Sequence, residues 1–158
     1  MRNLCFFLLV VLAGCSRRRI DGMSAKELFR AAERHRGADR AERAFERYSL
    51  LAEKYPDTIY TVRAIGHMID YHVYRRDYTA AEKLLERVFS EYPDSPYLDI
   101  MGMRWVIVAY GMGDLEKVRR KCHEVVSNYP ASKHRPKAQK TLELLNARLG
   151  PAESVATP

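Results

Sequence analysis

Three Tyr-Pro pairs, Tyr55-Pro56, Tyr92-Pro93 and Tyr129-Pro130, stand at equal intervals of 37 residues. Equal spacing of this kind points to an architecture made by repeating one unit. The same offset relates Ala41, Tyr78 and Leu115, then Ala44, Ala81 and Val118, then Tyr48, Leu85 and Cys122, then Leu51, Val88 and Val125. Along each unit these positions advance by three or four residues, so their side chains share one face of an α-helix. The proline that follows has no backbone N–H and a ring that clashes with the preceding turn, so each of these helices stops there.

A second helix precedes each of them. Leu28, Ala31, Ala32 and His35 match Ile65, Met68, Ile69 and His72, and then Gly102, Trp105, Val106 and Ala109. Each unit is therefore a helical hairpin. Ser24 with Glu27 three residues on is a capping-box pattern, and Thr58, Ser95 and Ser132 are start signals in the repeat register. Pro96 and Pro136 suit the first turn of a helix. The pattern predicts helices over 24–36, 39–55, 59–75, 78–92, 96–111, 114–129 and 133–149, with Gly150 and Pro151 ending the structure and 150–158 a disordered tail.

The first residues have a different character. Arg2 precedes the apolar run from Leu4 to Leu12, which closes on Ala13-Gly14-Cys15. The run is too short for a stable bilayer-spanning helix and reads as an export signal. Leu12-Ala13-Gly14-Cys15 resembles the lipobox of bacterial lipoproteins. That resemblance implies cleavage after residue 14, diacylglycerol on the Cys15 thiol, and a lipidated tether over 15–23. Ser16 rather than an aspartate after Cys15 implies, by the common sorting rule of such lipoproteins, the periplasmic side of the outer membrane.

With 158 residues, the chain has material for one domain, here 24–149. Its net charge of +7 falls by only one when the signal leaves, because the signal carries Arg2 alone. In an exported protein that excess points to anionic lipid, an acidic envelope polymer or an acidic partner protein, and not to nucleic acid. Arg17, Arg18 and Arg19 are placed to reinforce an acyl anchor, each contributing about 1 kcal/mol at an anionic surface. Of the three cysteines, Cys5 leaves with the signal and Cys15 is lipidated, so Cys122 remains alone and no internal disulfide is expected.

In the second unit, Asp77-Tyr78, Ala81, Leu85, Val88 and Pro93 fall where the tetratricopeptide (TPR) consensus places its Asp-Tyr, small, large apolar, second small and proline positions. Gly113-Asp114, Val118, Cys122, Val125 and Pro130 repeat this. The chain departs from that family in its period, which is commonly about 34, and in placing Leu51, Val88 and Val125 at the second small site. With its lipobox and Tyr-Pro-x-Ser/Thr connections, the whole is similar to the outer-membrane barrel-assembly lipoprotein (BamD-like) family, and its repeats are also like those of the Tol-Pal envelope coordinator. Barrel-assembly lipoproteins usually carry more hairpins than the three for which there is room here, so an adaptor or assembly factor suits the length better than a core subunit. The fold implied is all-α: a short right-handed solenoid of three TPR-like hairpins plus a C-terminal capping helix.

No nucleophile elbow, phosphate-cradling glycine loop, His-Glu-x-x-His motif or paired cysteine ligand set occurs. Catalysis, a cofactor and a metal are not expected. His67, Asp70 and His72 share a helix, but His72 lies in register with His35 and Ala109 and reads as packing. Cys122 lies in register with Tyr48 and Leu85 and reads as a buried, inert thiol.

The segment from Tyr97 to Met112 is apolar almost all round, with only Asp99 and Arg104 charged. Met101, Trp105, Val106 and Ala109 suffice for stacking between hairpins. In TPR arrays the first helix of each hairpin lines a groove, which implies Ile100, Met103, Ile107 and Tyr110 as groove residues. The preceding units supply Arg63, Asp70 and Tyr74, and Phe29. The opposing expectation is that the last helix folds over and buries this stripe, since short solenoids need capping. A basic C-terminal face of Lys117, Arg120, Lys121, Lys137 and Lys140 offers an alternative function, binding of peptidoglycan or another anionic polymer. The leading expectation is a non-catalytic, lipid-anchored envelope scaffold that binds a protein or peptide in the groove, plausibly in outer-membrane protein assembly.

Overall fold

A computed structural model describes residues 22–150. The export signal, Cys15, Arg17 to Arg19 and residues 151–158 lie outside the described residues. Within them the chain is all-α, with seven helices and no strand: α1 (Ala25–Gly37), α2 (Ala41–Lys54), α3 (Ile59–Tyr74), α4 (Tyr78–Glu91), α5 (Leu98–Gly111), α6 (Leu115–Asn128) and α7 (Arg135–Leu149). The expected helices are all present, and several begin later than the sequence suggests.

The late starts have a physical cause. Ser24 makes the full capping box with Glu27, its hydroxyl accepting from the Glu27 N–H while the Glu27 carboxylate accepts from the Ser24 N–H at 2.8 Å. Ser95 and Ser132 do not cap. Their hydroxyls accept instead from the N–H groups two residues on, Tyr97 at 3.3 Å and His134 at 3.0 Å, so they organise the turn and the helix begins after it. Tyr97 and His134 become the boundary residues, and Pro136 occupies the first turn of α7.

The turn inside each hairpin is the same object three times. Asp39, Arg76 and Gly113 all adopt positive φ, at 53°, 60° and 78°, and they are 37 residues apart. The next N–H reaches back to the carbonyl five residues earlier, Arg40 to His35, Asp77 to His72 and Asp114 to Ala109, as in a Schellman ending. Gly113 adopts this conformation without a Cβ penalty, which Arg76 must bear. The following residue then caps the second helix: Asp77 accepts from the Ala80 N–H at 3.1 Å and Asp114 from Lys117 at 2.8 Å. Arg40 holds that place in the first hairpin and provides no cap. The three tyrosines before proline, Tyr55, Tyr92 and Tyr129, likewise share one role, ending α2, α4 and α6.

The chain forms two compact units, Met1–Ala64 and Ile65–Pro158, whose boundary falls within α3. In the first, Leu28, Ala32, Ala44, Tyr48 and Leu51 are buried between α1 and α2. The Tyr48 hydroxyl donates to the Glu33 carboxylate, which also holds Arg36 at 2.8 Å. Tyr55 donates to the Met23 carbonyl at 2.6 Å and ties the entry of the chain to the end of α2.

In the second unit, α6 packs between α5 and α7. Gly102 lets α5 approach α6 closely, since a Cβ there would stand 2.7 Å from the Val125 side chain. A polar clasp joins α4, α5 and α6: Glu82 accepts from Trp105 Nε1 at 3.3 Å and Lys117 Nζ at 2.7 Å, while Lys121 Nζ sits 3.7 Å from the Trp105 ring centre. The Lys117 hydrogen bond is the main cause that lowers the Glu82 pKa below its ordinary value, outweighing the opposing effect of burial.

Two stability measurements follow from these contacts. Asp77→Ala is expected to cost about 1 kcal/mol in urea unfolding, and Arg40→Asp, which restores the repeat's cap, to gain up to about 1 kcal/mol. Because the folded-state pKa of Glu82 is depressed, its contribution is present above the ordinary glutamate range and is lost as pH falls through that range and below. Glu82→Gln should therefore flatten the acid side of the stability curve, read by fluorescence of Trp105, the chain's single tryptophan.

Candidate functional site

Burial separates the expected groove residues into two groups. Phe29 is a core residue at 5 % exposure, with Tyr48 and Tyr60 rings at 5.8 and 5.5 Å and the Arg63 guanidinium 4.4 Å above it. Phe29 is therefore enclosed and not presented to a partner, which corrects that expectation, while Arg63 is half-buried and stacks on it. Met103 is also a correction: at 6 % exposure it packs with Val106, Ala109, Cys122 and Val125, and α7 covers it through Ala138. Ile100 is half-buried.

The other group stands in solvent. Tyr74 is 86 % exposed, Tyr110 70 % and Ile107 47 %. Thus α7 covers part of the α5 stripe and leaves the rest open, so neither of the two opposing expectations holds throughout. Helical spacing does not explain the division, since Met103, Ile107 and Tyr110 advance by four and three residues and share one side of α5; Ile107 and Tyr110 stand one and two turns further along the helix than Met103.

Asp70 lies beside this strip on α3 and is held by a residue whose role the sequence did not disclose. Arg104 donates to it in the two-pronged geometry of an arginine–carboxylate pair, Nε to Oδ1 at 2.8 Å and Nη2 to Oδ2 at 2.7 Å. The two lie 34 residues apart, a distance that reveals a partner only once α3 and α5 are known to be adjacent. Gly66 shows the same adjacency, for a Cβ there would stand 2.8 Å from the Met101 methyl.

The proposed basic face is divided in the same way. Lys117 is committed to Glu82, and Lys121 to Glu124 at 2.9 Å as well as to the Trp105 ring. Arg120, Lys137 and Lys140 are exposed. Arg119, beside Arg120 in the chain, is buried at 6 % exposure, 3.5 Å from Glu116.

His67 and His72 face different carboxylates, Asp70 at 3.9 Å and Asp77 at 3.3 Å. Among the described residues no three of His, Cys, Asp and Glu gather in a way that could hold a metal ion. No described helix is long and apolar enough to cross a membrane. What remains is a set of exposed aromatic and aliphatic side chains, Tyr74, Ile107 and Tyr110, beside the Asp70–Arg104 ion pair. No protein-family model matches the chain, and no curated protein matches it.

Cys122 is fully buried, and burial pushes its thiol up to about 11. At pH 8 that leaves about one thiolate in a thousand. The folded protein should therefore resist iodoacetamide at Cys122, with labelling appearing only in denaturant, as read by mass spectrometry of the tryptic peptide.

Proposed function

We propose that this chain is a non-catalytic envelope scaffold, anchored by lipid on Cys15 at the periplasmic side of the outer membrane, whose hairpins stack as a short right-handed TPR-like solenoid that holds a partner protein or peptide. The observation that carries the binding role is the strip of Tyr74, Ile107 and Tyr110, which the chain's own last helix leaves in solvent. Exposed apolar side chains of this size, grouped beside polar neighbours, cost nothing in a complex and favour association, whereas scattered single ones have no such meaning. The conformationally repeated turns at Asp39, Arg76 and Gly113 support the repeat reading. The Leu-Ala-Gly-Cys tetrapeptide and the serine after it support the anchor and its sorting.

A role in outer-membrane protein assembly rests on the likeness to barrel-assembly lipoproteins. The polymer-binding alternative rests on Arg120, Lys137 and Lys140, which are exposed, since Lys117 and Lys121 are engaged within the protein.

Intact mass of the mature protein should show cleavage after Gly14 and a diacylglyceryl-modified Cys15, and Cys15→Ala should leave the chain out of the membrane fraction. A photo-crosslinker at Tyr110 should capture the same partner as one at Tyr74, with capture lost in Ile107→Asp. Unrelated crosslinked species from the two positions would reject a common binding strip.

A further inference from the structure

The strip proposed above as the binding surface is continued on α7 by an excess of positive charge, and that specifies its partner; the inference rests on that reading of the strip. Among the described residues on the α3 part, the acid is Asp70, and both of its oxygens are held by Arg104 at 2.8 and 2.7 Å. This pair neutralises itself. What α3 and α5 then offer a partner is the apolar surface of Tyr74, Ile107 and Tyr110.

The last helix carries the same positions onward with different chemistry. Leu144, 63 % exposed, stands 37 residues after Ile107, and Lys137 and Lys140 stand 37 residues after Ile100 and Met103. Lys137, Lys140, Leu144 and Arg148 advance by three or four residues and so share one side of α7. Ala138, Leu142 and Leu145 occupy the other side, packed into the cluster built from α5 and α6. Lys137, Lys140 and Arg148 are exposed and form no ion pair among the described residues. The one acid of α7, Glu143, accepts the Gln139 amide at 2.9 Å. From Leu115 to Gly150 the chain holds nine lysines and arginines against three glutamates.

We infer that the partner segment is an acidic amphipathic peptide whose apolar side chains cover Tyr74, Ile107, Tyr110 and Leu144 and whose carboxylates meet Lys137, Lys140 and Arg148. Apolar contact alone discriminates weakly between partners. A row of uncompensated cations beside it rejects basic segments and speeds the encounter with acidic ones, so charge supplies the selectivity. The unpaired leucine in the row favours a peptide that brings its own apolar side chains over a headgroup layer, which would match the cations alone.

Random-peptide display against the immobilised full chain tests this, with Lys137→Glu/Lys140→Glu/Arg148→Glu and Ile107→Asp/Tyr110→Asp variants in parallel and circular dichroism verifying equal helicity. The wild type should enrich peptides that combine Asp and Glu with large apolar residues, and the selected peptides should bind the charge-reversed variant at least roughly tenfold more weakly. Enrichment of apolar peptides without acidic bias, lost in Ile107→Asp/Tyr110→Asp, would overturn the charge inference and leave the binding strip standing. No enrichment over the Asp variant would overturn both. Two other results without peptide enrichment would also overturn it: a dimer abolished by Ile107→Asp/Tyr110→Asp, showing a second copy as occupant, or charge-dependent binding to phosphatidylglycerol vesicles, showing a membrane.

Discussion

The second helix of each hairpin is so apolar on one side that it cannot stand in water. Ala44, Tyr48 and Leu51 in α2, Ala81, Leu85 and Val88 in α4, and Val118, Cys122 and Val125 in α6 are all at 3 % exposure or less. Each fully buried large apolar side chain contributes roughly 1.5–3 kcal/mol, and that return is available only where neighbouring helices close over it. The need to cover these faces sets the close helix approaches, including the one Gly102 permits against Val125. The polar clasp at Glu82, Trp105, Lys117 and Lys121 then fixes how α4, α5 and α6 meet.

The same requirement decides what is left outside. A helix covers its neighbours with only part of its surface, and in α5 the part left outside carries Ile107 and Tyr110 in place of charged residues. Arg104, one of two charged residues in α5, is drawn onto Asp70 of α3. In α7 the corresponding positions are basic, so the last helix ends the core with Ala138, Leu142 and Leu145 and returns a cationic side to solvent. Burial and exposure thus divide the surface of the same helices.

The architecture's repeating parts were the easiest to read from residues alone, because their causes are local. Ser24 with Glu27, Asp77 and Asp114 bond to backbone groups within their own turn, and the tyrosines before proline end helices for reasons contained in a few bonds. Ser95 and Ser132 marked the right places but took the neighbouring option of bonding two residues on, which shifted the helix starts. The conformations of Asp39 and Arg76 went unforeseen, since neither residue type demands positive φ as Gly113 invites it. Of the expected groove residues, Tyr74, Ile107 and Tyr110 are exposed as their register suggested, while Phe29 and Met103 looked equivalent and are buried.

Sequence by itself determined the all-helical class, the 37-residue recurrence, the points at which the helices stop and the buried faces of the second helix in each hairpin, for these follow from spacing and from hydrogen bonds between near neighbours. Only tertiary structure decided which apolar residues became surface. Phe29 was enclosed by Tyr48, Tyr60 and Arg63, Met103 was covered by α7, and Asp70 found Arg104 34 residues away. Exposure belongs to the neighbours a residue acquires, and neighbours distant in the chain are set by packing and not by any pattern within one helix.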